Sequence, residues 1–210
     1  TLVRYKQWPI PHHVELVRGL LADGHTVVLS GGPSGADRAR TAEVVQGVGA
    51  APAGRLLDIA GTLDLAQMVT LLRAAALYIG PDTSITHLAA ACATPLIALY
   101  GPVDPRLFGP WPQGHPATQP YVKRARRQQP QTAPGGGPIV LLQGDPECVP
   151  CNQAGCERHN DSRSDCLETM SAERVLAEAR ARLAGLEAPP HEIRVDFPAS
   201  RRIERSGASP

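Results

Sequence analysis

Apolar residues along the 210-residue chain fall into two alternating kinds of run. In residues 11–22, Val14, Leu16, Val17, Leu20 and Leu21 recur at the spacing of one helix face, and Gly24 follows as a stop. In residues 26–30 the run is continuous and β-branched and ends in Gly31-Gly32-Pro33, the pattern of a buried strand entering a tight turn. A helix is expected over 35–45. The alternation continues with a strand at 56–60, the turn Gly61-Thr62-Leu63, and a helix through Leu65, Met68, Val69, Leu71 and Leu72 capped by Asp64. A strand at 77–79, a short helix at 84–92 and a strand at 96–100, stopped by Gly101-Pro102, complete it. Strands that are apolar throughout and separated by helices imply a parallel sheet covered on both faces, a Rossmann-like doubly wound α/β domain over residues 1–112.

Beyond Val103 the pattern dissolves into Pro, Gln and Gly, so residues 113–138 read as a long surface loop carrying the basic patch Lys123, Arg124, Arg126 and Arg127. Residues 139–187 hold a short apolar run at 139–142, a cysteine-rich stretch and a helix over 171–186 opened by Ser171, assigned to the same domain. Residues 188–210 lack periodicity and are expected to be disordered.

Charge narrows the choice of ligand. With 21 basic and 20 acidic residues the formal net charge is +1, so no large field favours nucleic acid, and a small-molecule site fits better. No window matches a membrane-spanning helix and no signal-peptide pattern opens the chain, which reads as a soluble fragment.

The chemistry concentrates in Gly80-Pro81-Asp82-Thr83-Ser84-Ile85-Thr86-His87, at the carboxyl end of a strand and the start of a helix. Ligands of open α/β sheets bind at that edge. Backbone N–H groups of Thr83, Ser84 and Ile85, with the positive end of the helix dipole, form a site for a diphosphate. Thr83 and His87 lie one turn apart on one face. Taken singly, Asp82 or Thr83 reads as an N-cap and His87 as a packed polar residue.

Together with Thr94-Pro95, the strand after it and Gly101-Pro102-Val103-Asp104-Pro105, this stretch resembles the signature of family 9 glycosyltransferases, which include the lipopolysaccharide heptosyltransferases. The family pattern reads Gly-x-Asp-[Thr/Ser]-Gly-x-x-His-Leu-Ala-Ala-Ala, then x-Thr-Pro, a strand, and Gly-Pro-Thr-Asp-Pro. Here Ser84 stands for the Gly and Val103 for the Thr. Lys6-Gln7-Trp8-Pro9 resembles the family's Lys-x-Trp-Pro segment, Gly31-Gly32 its glycine turn, and Gly61-Thr62-Leu63 the loop that lines the nucleotide base.

The resemblance implies the C-terminal, donor-binding half of a GT-B type glycosyltransferase that works by inversion and needs no metal for catalysis. It implies that Lys6, Thr83, Ser84 and His87 bind the donor diphosphate, that Asp82 bonds sugar hydroxyls or caps the turn, and that Gly31, Gly32, Thr62 and Leu63 line the donor. Asp37 is the nearest match to an acidic residue that holds donor hydroxyls. The donor is expected to be ADP-heptose and the acceptor a lipopolysaccharide core or another glycan. The general base is expected in a preceding N-terminal half, so that this chain carries no catalytic residue and is inactive by itself. The expected location is the cytoplasm, at most in peripheral contact with the inner face of the membrane. Two other readings compete: a non-catalytic nucleotide-binding module, and another GT-B enzyme such as a nucleotide-sugar epimerase, whose motifs differ from Asp82-Thr83-x-x-x-His87.

Cys148, Cys151, Cys156 and Cys166 follow a Cys-x2-Cys-x4-Cys-x9-Cys pattern whose first pair has the spacing of a zinc knuckle. Structural zinc, with His159 as a substitute ligand, and reduced thiols capping a loop both fit this pattern. If zinc is bound, at least Cys148, Cys151 and Cys156 converge. Cys92, alone in an apolar stretch, reads as a small buried residue.

Overall fold

The computed structural model describes residues 3–112, 114, 120–123, 131–132 and 138–185. A short 3-10 turn, Arg4–Lys6, leads into α1, Ile10–Ala22, where Pro11 occupies the first turn, a position that needs no donor. Then follow β1 Val27–Leu29, α2 Gly35–Val48, β2 Leu56–Asp58, α3 Leu65–Ala74, β3 Tyr78–Pro81, α4 Ser84–Ala91, β4 Leu96–Tyr100 and α5 Pro105–Phe108. The chain ends with β5 Gln131–Thr132, β6 Ile139–Gln143, α6 Asp165–Glu168 and α7 Ala172–Ala184. Asp64 closes a full capping box with Gln67 at the start of α3, as its position predicts.

The four expected strands all form and all pair in parallel. β1 pairs with β2, and a separate sheet runs in the order β3-β4-β6-β5. In that sheet Tyr78 lies beside Leu96 and Leu96 beside Ile139. β4 and β6 are buried at every position because both faces are covered. On one face Ile97, Leu99, Val140 and Leu142 pack with Leu16 and Leu20 of α1 and Val175 and Ala179 of α7. On the other, Leu96, Ala98, Ile139 and Leu141 pack with Met68 and Leu72 of α3 and Ala89 and Ala90 of α4. This is the doubly wound arrangement that the apolar runs imply.

The structure corrects the reading of 113–138 as surface loop. Within its described part, Tyr121 is buried beside Tyr100 in the second cluster, and Gln131–Thr132 adds an antiparallel edge strand to β6. A two-residue strand and a lone aromatic carry no periodicity to detect. The run at 139–142 forms β6, one of the two inner strands of the sheet. Arg124, Arg126, Arg127 and the 188–210 tail lie outside the described residues.

Candidate functional site

The site is built where β3 turns into α4. Thr83 is the N-cap of α4, with extended φ −144° and ψ 165°, and its side chain makes no capping bond. Ser84 and Ile85 follow as the first helical residues, whose N–H groups have no acceptor within an α-helix. Thr86, fully buried, holds the turn rigid: its hydroxyl donates to the Pro81 carbonyl and lies 3.2 Å from the Tyr78 hydroxyl. Nothing in the motif distinguishes this threonine, and only its burial under the turn reveals the role.

Asp82 is the hub. Its carboxylate is buried, yet three partners reach it from different elements. The Lys6 Nζ donates to Oδ2 at 2.6 Å across 76 positions of sequence. The His87 Nε2 stands 3.6 Å from Oδ1, and the Tyr100 hydroxyl at the end of β4 stands 3.4 Å from Oδ1. Burial pushes this carboxyl up, but the bonds from His87 and Lys6 outweigh it and hold Asp82 below the usual carboxylate range. Tyr100 also donates to the Phe108 carbonyl at 2.6 Å, and burial raises its phenol well above the ordinary value.

Lys6, Asp82, Thr83 and His87, proposed from the sequence, are therefore brought together, with Ser84 exposed at the rim. Asp82 does not cap α4, because Thr83 takes the N-cap position; the carboxylate faces Lys6 instead. Tyr100 was not in the sequence-derived set, since a tyrosine closing an apolar strand reads as core.

The remaining proposed donor residues sit after other strands. Gly31 and Gly32 follow β1, and Gly31 accepts from the Gly61 N–H at 2.9 Å. A Cβ on Gly32 would stand 2.6 Å from Asp37 Oδ2, so a larger residue there would push that carboxylate aside. Asp37 accepts from the Ser34 hydroxyl at 2.6 Å and joins the cap of α2. Thr62 spends its hydroxyl on the Ile59 carbonyl at 2.8 Å, while Leu63 packs against the same cluster as Ile85 and Leu88.

Lys6 is braced from the far end of the chain. The Ser164 hydroxyl donates to the Tyr5 carbonyl at 2.8 Å, the Arg4 N–H bonds the Asn160 carbonyl at 2.9 Å, and the fully buried Trp8 indole donates to the Met170 carbonyl at 2.8 Å. The same segment is strapped to the Gly101-Pro105 loop: Asn152 N–H bonds Pro102 O, and Asn152 Oδ1 accepts from Asp104 N–H, both at 2.8 Å. The cysteine-rich stretch thus positions the lysine.

Its thiols follow a different course from the zinc expectation. Among the described residues no group of three or more His, Cys, Asp or Glu side chains is placed to hold a metal ion. The expected convergence of Cys148, Cys151 and Cys156 is therefore not met. Cys166 is packed under Gly101, with Sγ 3.1 Å from where a Cβ there would stand, and burial with its neighbouring thiols pushes it up to about 12. Cys148 and Cys156 are exposed, Cys151 is half-buried, and Cys156 Sγ accepts from the Asp165 N–H at 3.3 Å. His159 pairs with Glu157 rather than with a cysteine. Cys92 is half-buried against the second cluster.

Comparison with known proteins gives this geometry its context. The model of glycosyltransferase family 9 (heptosyltransferase) matches residues 1–131. The chain is 34% identical over 105 residues to lipopolysaccharide heptosyltransferase 2 of Salmonella typhimurium, covering 50% of this chain and 30% of that protein. It is 36% identical over 107 residues to lipopolysaccharide heptosyltransferase 3 of Escherichia coli, covering 51% and 31%. Among solved structures, E. coli ADP-heptose lps heptosyltransferase II superposes with a TM-score of 0.60 at 23% identity, over 87% of this chain and 43% of that one. E. coli heptosyltransferase WaaC with ADP gives 0.57 at 19%, over 87% and 42%. The chain thus spans less than half the length of the relatives it matches.

Proposed function

Since the chain belongs to glycosyltransferase family 9, we propose that it is the donor-binding half of an inverting heptosyltransferase that uses ADP-heptose and a lipopolysaccharide-type acceptor. The observation that supports this most is the Lys6, Asp82 and His87 constellation at the N-terminus of α4. An ammonium has three donors. Lys6 gives one to Asp82, which aims it, and keeps two for the oxygens of a diphosphate. The N–H groups of Ser84 and Ile85 and the dipole of α4 add fixed positive potential at the same place. His87, exposed one turn into the helix, supplies a further donor.

In such a transfer the acceptor hydroxyl displaces the nucleoside diphosphate at the anomeric carbon, and negative charge grows on the departing phosphate. Donors already fixed in position stabilise that charge without reorganising. Asp82, an anion, does not hold phosphate; its Oδ2 aims Lys6, and its Oδ1 lies beside His87 and Tyr100. Gly31, Gly32, Thr62 and Leu63, at the carboxyl ends of β1 and β2, line the nucleoside. The general base belongs to a preceding half. The nucleotide ligands of the solved E. coli relative, ADP and ADP-2-deoxy-2-fluoro heptose, agree with this reading. A glycolipid acceptor places the reaction at the cytoplasmic face of the membrane. Calorimetric titration with ADP tests the proposal: binding that survives unchanged in Lys6→Ala and Thr83→Ala would put the phosphate elsewhere.

A further inference from the structure

Three hydroxyl groups, those of Tyr78, Thr83 and Thr86, meet at the turn between β3 and α4, and each brings one proton. Thr86 is fully buried and spends its proton on the Pro81 carbonyl. Its Oγ1 is then left with lone pairs alone, facing the Tyr78 hydroxyl at 3.2 Å and the Thr83 hydroxyl at 3.4 Å. The Tyr78 ring packs against the second core cluster, and a Cβ on Gly80 would collide with its hydroxyl, so the missing side chain at position 80 makes room for it. Burial pushes this phenol above its ordinary value, and it remains a donor at neutral pH. Thr83 is half-buried, and its side chain makes no capping bond although it occupies the N-cap of α4.

Counting protons gives the cluster a direction. The Tyr78 proton has the Thr86 and Thr83 oxygens as its acceptors. Whichever it takes, one inward place in the cluster is filled, and the Thr83 proton is left with the longer of the two contacts to Thr86. An oxygen of an anion in front of α4 outcompetes a contact of that length, because a charged acceptor draws a hydroxyl proton more strongly than a neutral one. Without the phenol, Thr86 Oγ1 would be a buried acceptor with Thr83 as its one remaining hydroxyl neighbour, and leaving it bare costs free energy. The Thr83 proton would then turn inward.

We propose that Tyr78 is a positioning residue of the donor site: its hydroxyl fills the inner side of the Thr86 cluster and so releases the Thr83 hydroxyl to donate to an oxygen of the bound diphosphate. Tyr78 acts through Thr83, not on the ligand. The inference rests on the reading of the α4 N-terminus as the phosphate site, and the variants below separate the failure of one from the failure of the other.

Calorimetric titration with ADP over a set of variants tests it, with thermal melting of each to show that it folds. Tyr78→Phe keeps the ring and removes one oxygen, and it should weaken ADP binding about two- to tenfold. That loss should vanish where residue 83 carries no hydroxyl, so Thr83→Val and Thr83→Val with Tyr78→Phe should bind ADP alike. It should return in Thr83→Ser, which supplies the proton again. A phenol that merely supports the fold would cost the same in all three backgrounds. Equal ADP binding by wild type and Tyr78→Phe overturns the proposal, and so does a loss of the same size in the Thr83→Val background. Tighter binding by Tyr78→Phe also overturns it, since the phenol would then have been holding the Thr83 proton. If Thr83→Val by itself leaves ADP binding unaltered, the phosphate lies elsewhere, and the reading of the site falls together with this inference.

Discussion

Two stretches of this chain carry reactive residue types in motif-like spacing, the Asp82 to His87 turn and the Cys148 to Cys166 segment, and the fold uses them in opposite ways. Around Asp82 it gathers polar groups from three places in the sequence, Lys6, the 82–87 turn and Tyr100, and leaves Ser84 and His87 exposed and Lys6 partly so. Around the cysteines it turns the most central thiol, Cys166, into packing under Gly101 and employs neighbouring backbone and Ser164 to hold Tyr5. Chemistry requires a reactive group with an opening to solvent and a counter-charge. A buried, neutral thiol has neither.

The sharpest test of the packing role is steric. A Cβ on Gly144 would meet the Cys166 carbonyl oxygen at 2.3 Å and its Cβ at 2.5 Å. Gly144→Ala is therefore expected to cost about 3 kcal/mol, with a marked fall in melting temperature. An unchanged melt would mean the segment is loose and not a brace.

Next in size is a pH effect at the junction between the two stretches. His13 packs on Trp8, its ring 4.9 Å away, and burial lowers it from 6.5 to about 4. Between those values the unfolded chain takes up a proton that the folded chain refuses. Stability is thus fully present above about pH 6.5 and is lost progressively as pH falls towards 4, by up to about 3 kcal/mol. Denaturant melts of wild type and His13→Phe over that range should converge on a flatter profile for the variant.

Lys6→Ala should weaken ADP binding by about 1–3 kcal/mol, the loss of a charge-assisted bond, roughly 5- to 150-fold. Lys123→Ala should leave it unaltered, which separates a specific contact from general attraction. Ser164→Ala removes the bond to Tyr5 and should cost about 1 kcal/mol, appearing in both ADP titration and thermal melting. If only the melt moves, the brace supports the fold without aiming Lys6. The smallest effect is expected for Cys148→Ser, within about 0.5 kcal/mol in either measurement. A large loss there would restore a chemical role to the cysteines.

Much of the fold is determined by the sequence itself. Buried parallel strands must be apolar on both faces and helices must alternate with them, so β1 to β4 and α1 to α4 appear as local patterns within a few residues of where they form. The turn after β3 is equally local, because a strand end, a cap and a helix start lie side by side in the chain. What the tertiary structure alone decided are the contacts made across distance. Lys6 meets Asp82 over 76 positions and Ser164 meets Tyr5 over 159. Tyr100 joins the site only because β4 lies beside β3. Tyr121 and the two-residue β5 enter the sheet from a stretch without periodicity. The cysteines show the same limit, since metal binding depends on distances between sulfurs, whereas spacing along the chain records only the length of the loops that separate them. Periodicity encodes which face of an element is buried; which elements then share that burial is settled by packing alone.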